Sequence, residues 1–331
     1  TAAVWEVIPP DCKRGKKAYA QPYLDHRGVE RGDSARWKVM FLWDPATGSK
    51  GNTKYFIWRK SEEKLPARFT FQDDGAKTLT LLQDNKPVLS YVYGMNLKEG
   101  VAEDRARACY VHPLWGLDGE TLTDDFPEDH LHHRGIFWTW PEVLVGESQD
   151  TLALWDIRGI HQKFESWLEP PKAGPAFASF GAQNGWYAGE RRVMDEKVRV
   201  RVFRAGDFGR MVDFEFLWTA TDEPVKVIGA PEENKGYGGF GMRMAPFTEP
   251  VINTEAGIQP ADSDRQPFQW ADFSAKFGGG EKVSGAAIFP DPANPGYPNG
   301  WTLRHYGFLG VAWPGLEPFT FQPGVPVAAR Y

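Results

Sequence analysis

The chain has 331 residues, long enough to bury a substantial core without a covalent staple. Its 38 Lys and Arg against 44 Asp and Glu leave a formal charge of −6, which offers no basic excess to a phosphate backbone and argues against nucleic acid as a partner. Apolar runs such as Val39-Met40-Phe41-Leu42-Trp43 are far shorter than the roughly 20 residues of a membrane-spanning helix, so no membrane insertion is expected.

In chain order, short apolar or alternating segments predict strands at Lys38–Trp43, Tyr55–Arg59, Arg68–Gln72, Lys77–Gln83, Val88–Tyr93 and Ile136–Trp140. The strongest period-two pattern follows at Lys197–Phe203 and Val212–Trp218, read as one hairpin across the Gly- and Asp-bearing Arg204–Arg210 turn. Further strands are expected at Val225–Ile228, Ala286–Phe289 and Thr302–Trp313, the last placing Arg304 and Tyr306 on one face and His305 on the other. Asn234–Pro298 reads as loop-rich. No long segment carries a capped helical stripe. With 35 Gly and 26 Pro punctuating many short strands, the fold class is all-β, a large antiparallel sandwich forming a single domain over residues 1–331. Fourteen Trp, 22 Phe and 11 Tyr exceed what most cores require, which places some rings near the surface, where flat rings bind flat ligands.

Asp129-His130-Leu131-His132-His133-Arg134-Gly135 gathers three of the seven histidines within four positions. In an extended segment His130 and His132 share a face, an arrangement suited to proton transfer near neutrality or to a metal. The catalytic candidates are therefore His112, His130, His132, His133 and His305. His132 or His130 is the favoured base, and His112 its partner acid or orienting group. Arg134, Tyr237, Arg243, Arg304 and Tyr306 are candidates for substrate binding, the arginines because a guanidinium fork grips a carboxylate. No cofactor is required by the sequence. A divalent metal, if bound, would sit on His130 and His132.

Other chemistries find less support. Gly236-x-Gly238-x-x-Gly241 matches the dinucleotide fingerprint in letters only, since Pro246 follows where a helix should open. Neither a Gly-x-Ser-x-Gly elbow nor a Cys beside a His is present, so covalent Ser or Cys catalysis has no motif. Cys12 and Cys109 are enough for one bridge, but a chain of this length does not need it to fold.

His112-Pro113-Leu114 with Asp118-Gly119-Glu120, the histidine motif, Tyr237-Gly238-Gly239-Phe240 with Arg243, and Trp301 with Tyr306-Gly307 together resemble the PmoA-like family of bacterial proteins of unknown function. The resemblance runs from about Val88 to the C-terminus, and residues 1–87 share less of it. It implies an exported protein, periplasmic or extracellular, working near polysaccharide degradation. A start at Thr1 in place of Met fits removal of a signal peptide. The expected architecture is a galactose-mutarotase-like supersandwich, with a jelly-roll sandwich as runner-up. The expected function is histidine acid–base chemistry on a sugar or uronic-acid glycoside, by elimination, hydrolysis or isomerisation, with an oligosaccharide or polysaccharide fragment as partner. A noncatalytic carbohydrate-binding protein and a metal-dependent oxidoreductase are the alternatives.

Overall fold

The computed structural model describes residues 68–331, apart from Phe208 and the Glu233 side chain. It also describes the backbone of four earlier strands, Trp5–Ile8, Tyr19–Asp25, Arg36–Leu42 and Ile57–Lys60, which pair in one antiparallel sheet. Cys12 and the ends of the two expected strands at Trp43 and Tyr55 lie outside the described residues.

The expected all-β class is what forms: every strand pair is antiparallel, and the only helical pieces among the described residues are two single 3₁₀ turns, at Glu103–Arg105 and Glu232–Asn234. A nine-stranded sheet runs in the order Ser263–Pro267, Gly300–Arg304, Phe308–Ala312, Gly239–Arg243, Ile136–Thr139, Tyr110–Leu114, Lys86–Val92, Thr78–Gln83, Phe69–Asp73. A five-stranded sheet contains Ile160–Ala173, Phe177–Ala188, Arg191–Phe203, Val212–Ala220 and Val327–Arg330. Smaller sheets are built on Glu142–Val145 and on Phe247–Thr254 with Ala271–Phe277.

The alternation that predicted the hairpin also explains the sandwich. Val198, Val200 and Val202 are buried while Lys197, Arg199 and Arg201 face outward. Across the interface Trp138 meets Phe216 with ring centres 4.7 Å apart, Tyr91 meets Phe180 at 5.2 Å, and Trp140 meets Trp186 at 5.2 Å. Each such ring contributes about 1.5–3 kcal/mol by leaving water. Trp138, Trp140, Trp186, Trp218 and Trp301 are all fully buried, so the aromatic excess builds the core far more than it faces ligand.

One carboxylate lies inside this core. Glu196 accepts hydrogen bonds from the Trp186 and Trp218 indoles (2.8 and 2.9 Å), from Asn184 Nδ2 (2.9 Å) and from Gln162 Nε2 (3.1 Å). Four donors stand in for water around a fully buried acid. Glu196→Gln turns an amide NH₂ toward those donors and should cost about 3 kcal/mol in chemical denaturation. A change below about 0.5 kcal/mol would mean the network is slack.

Two expectations are corrected. The Asn234–Pro298 stretch is mostly strand, because its glycines let backbones approach: Gly241 lies in a strand where a Cβ would run into the Phe308 ring. Thr302–Trp313 is not one strand but two, Gly300–Arg304 and Phe308–Ala312, joined by a turn at Gly307 with φ +101°. Arg304 and Tyr306 therefore do not share a strand face.

Candidate functional site

The outer face of the nine-stranded sheet carries the site. Strand alternation sends Ile136, Trp138, Val111 and Leu309 into the main core, and Phe137, Tyr110 and Phe308 to the opposite side. There they meet Trp155, from the Leu152–Gly159 connection, and form a second small apolar cluster. The histidine loop lies on top of it.

That loop is a pair of turns and not an extended segment: the His133 N–H donates to the His130 carbonyl at 2.8 Å. The consequence is a different pairing from the one expected. His130 and His133 stack at 4.6 Å with 9° between their planes, and His132 stands edge-on to both. The stack extends to Tyr306 beyond His130 (5.0 Å) and to Phe308 beneath His133 (5.0 Å). Tyr306 and His130 form its solvent end, and His133 is buried.

Arg243 reaches this end from the neighbouring strand. Its Nη2 donates to Asp129 Oδ1 and Oδ2 at 2.7 and 2.9 Å, and its guanidinium carbon lies 4.8 Å from the Tyr306 ring centre. Asp129 Oδ2 in turn lies 3.0 Å from His130 Nδ1, an ion-pair distance. Partial burial alone would raise the Asp129 carboxyl, yet hydrogen bonding by Arg243 and contact with His130 bring it below the usual range.

The other expected residues have different surroundings. Arg134 is fully buried and donates to the carbonyls of Leu131, His133 and Arg105 at 2.6–2.7 Å, with Nε 3.3 Å from Asp125 Oδ1 and its carbon 3.5 Å above the Phe126 ring. It braces the loop and has no donor face for substrate, which corrects its expected role. Arg304 likewise holds the Ser263 carbonyl and Asp264. His305 points Nδ1 at Asp262 and Nε2 at the Gln259 carbonyl, so both ring nitrogens are engaged away from the stack. His112 lies behind Gly135, where a Cβ would meet its own, and faces Thr123 Oγ1 at 3.1 Å. Tyr237 packs 4.8 Å from Trp155, and burial pushes its phenol up to about 12. Cys109 is a free buried thiol. No group of three or more His, Cys, Asp or Glu among the described residues is arranged to hold a metal ion.

Beside His132 opens a cavity of about 620 Å³, walled by Asp104, Arg105, Asp156, Ile157, Arg158 and Gly159. Ile157 stands at φ +62°, a conformation a β-branched side chain rarely adopts. The sequence reading missed this wall. Its one signal was Arg105-Ala106-Arg107, two cations two apart entering an apolar strand.

Burial, then the nearby guanidiniums of Arg107 and Arg105, draws His132 down to about 3, and burial with Arg134 draws His112 down to about 4, from an ordinary 6.5. Between those values and 6.5 the unfolded chain binds more protons, so the stability these rings give above pH 6.5 is lost on acidification. Asp125 works the other way: burial pushes it up to about 6, so its contribution is present below 3.8 and lost as pH rises through 6. The melting temperature should fall from pH 7 to about pH 4, and more gently in the His112→Gln/His132→Gln protein. An unchanged slope in that variant would contradict the assignment.

Among the described residues no helix is long and apolar enough to cross a membrane. Comparison with the curated proteins gives no match. Comparison with known families overturns the PmoA-like resemblance, because the matching family is a different one and nothing points to PmoA-like proteins. Residues 78–331 match the family of unknown function DUF6807, and the chain belongs to that family.

Proposed function

We propose that this protein is a carbohydrate-active enzyme that moves a proton on a sugar or uronic-acid glycoside through His130. The observation that carries the reading is the chain Arg243–Asp129–His130: a partly exposed imidazole beside a carboxylate that an arginine fixes, next to His132, which lines a cavity. A base oriented by a third group is the arrangement that general acid–base chemistry requires. His132 is a weaker candidate than the sequence suggests, since a ring drawn down to about 3 is neutral near pH 7 but a poor base. The His130–Tyr306 stack supplies the flat surface against which a pyranose would lie, and the cavity, whose two acids and two arginines suit hydroxyls, adjoins it through His132. Location outside the cytoplasm and a galactose-mutarotase-like supersandwich belong to the same reading, the latter because a large sheet faces a smaller one.

The test is incubation with neutral and uronic-acid-containing oligosaccharides, read by mass spectrometry and by absorbance of unsaturated products. New unsaturated ends indicate elimination, gain of water indicates hydrolysis, and a mass-neutral isomer appears by chromatography. Binding without any of the three would favour the noncatalytic alternative.

A further inference from the structure

We infer that the cavity beside His132 is a subsite for an uncharged sugar unit, so that the substrate class of the site is a neutral oligosaccharide. The inference rests on the carbohydrate reading of that same site and narrows it.

The lining is the reason. Asp104 and Asp156 bring two carboxylates, Arg105 and Arg158 bring two guanidiniums, and His132 brings a ring that burial and nearby guanidiniums keep neutral near pH 7. The two negative charges cancel the two positive ones. A carboxylate only accepts hydrogen bonds, a guanidinium only donates them, and a neutral imidazole does one of each. A sugar hydroxyl donates and accepts at once, and hydroxyls on adjacent carbons match the two oxygens of a carboxylate or the two nitrogens along one edge of a guanidinium. An acidic sugar would bring its carboxylate against two others, and it would give up its hydration with no net opposite charge to replace it. At about 620 Å³ the space falls within the roughly 300–1,000 Å³ of small-ligand sites.

Much of this hydrogen-bonding capacity is unspent. The side chains of Asp156 and Arg158 make no hydrogen bond or ion pair with a described residue, and neither ring nitrogen of His132 has a hydrogen-bond partner among them. The Arg105 side chain reaches only the Asp156 carbonyl, at 3.2 Å, and Asp104, loosely, at 3.6 Å. Arg107 and Arg134 stand outside the lining. Arg107 holds the Leu154 and Trp155 carbonyls, which lead into the wall segment from Asp156 to Gly159, and Arg134 is paired with Asp125. The His132 and His130 ring centres are 5.7 Å apart, so a sugar unit seated in the cavity brings the next unit of its chain toward His130 and Tyr306.

The probes are neutral trisaccharides of glucose, galactose, mannose and xylose, together with trigalacturonate and its methyl ester, which are the same sugar with and without its charge. Binding to the whole chain is measured by calorimetry. The ester and at least one neutral trisaccharide should bind about tenfold more tightly than trigalacturonate. Asp156→Asn gives the lining a net positive charge and Arg158→Gln a net negative one. Both should weaken the binding of neutral sugars by about three- to tenfold, while the first narrows the preference against trigalacturonate and the second widens it. Arg158 is exposed and the Asp156 side chain has no partner to lose, so both variants should fold, which their melting temperatures check. Trigalacturonate bound as tightly as its ester, or a preference that neither variant moves, would overturn the subsite. Turnover of galacturonate oligosaccharides alone would overturn it while leaving the carbohydrate reading standing. Binding of neutral sugars that responds to both variants, with no turnover of any oligosaccharide, would uphold the subsite and overturn the enzyme. No binding of any of these sugars would overturn both.

Discussion

Replacing Arg134 with Met should lower the stability of the protein by about 3–5 kcal/mol, the largest loss expected from any substitution at the site. The guanidinium is at once an ion-pair partner for Asp125, a donor to three carbonyls and a plate against Phe126. Methionine fills much of the volume and supplies none of the donors. The carbonyls of Leu131 and His133 would then be left bare within the histidine loop, at about 1–3 kcal/mol each if they found no water, and these costs do not simply add. Arg134→Lys keeps the charge but loses the planar fork, so it should recover only part of the loss. Chemical denaturation reads both, and a shift in midpoint at constant slope is the expected form. A loss below about 1 kcal/mol for Arg134→Met would mean that the loop is held by something else.

His130→Gln should reduce turnover by about 10²–10⁴-fold once a substrate is in hand, with a melting temperature within a few degrees of the parent. The imidazole is partly exposed and packs as a flat ring between His133 and Tyr306, space that a glutamine side chain can largely fill, so the fold depends on it little. Glutamine retains a hydrogen-bonding group but cannot carry a proton. Asp129→Asn and Arg243→Met should reduce turnover less, because Asp129 only orients His130 and Arg243 acts on it only through Asp129. His132→Gln should leave the rate constant closer to the parent and weaken binding instead. If His132→Gln abolished turnover while His130→Gln did not, the proton carrier would have been assigned to the wrong ring.

The sequence carried the fold class well and the geometry of the site poorly, for identifiable reasons. Alternation at Lys197–Phe203 survives because one face of that strand is buried and the other is wet, and nothing else competes. Gly239–Arg243 is buried on both faces, so it shows no alternation and reads as a glycine-rich loop. The histidine motif was visible as a cluster, but its pairing depended on whether the segment is extended or turned. That is decided by Arg134 reaching back to the Leu131 and His133 carbonyls, a contact no spacing rule encodes. Arg134 looked like a ligand-binding residue because it adjoins histidines.

The most direct measurement is a crystal structure of the His130→Gln protein soaked with an oligosaccharide from the panel. The account predicts the glycosidic oxygen or the adjacent ring carbon within hydrogen-bond reach of the residue 130 side chain, with a sugar ring on Tyr306. An oligosaccharide seated elsewhere on the molecule, with residue 130 untouched, would contradict it.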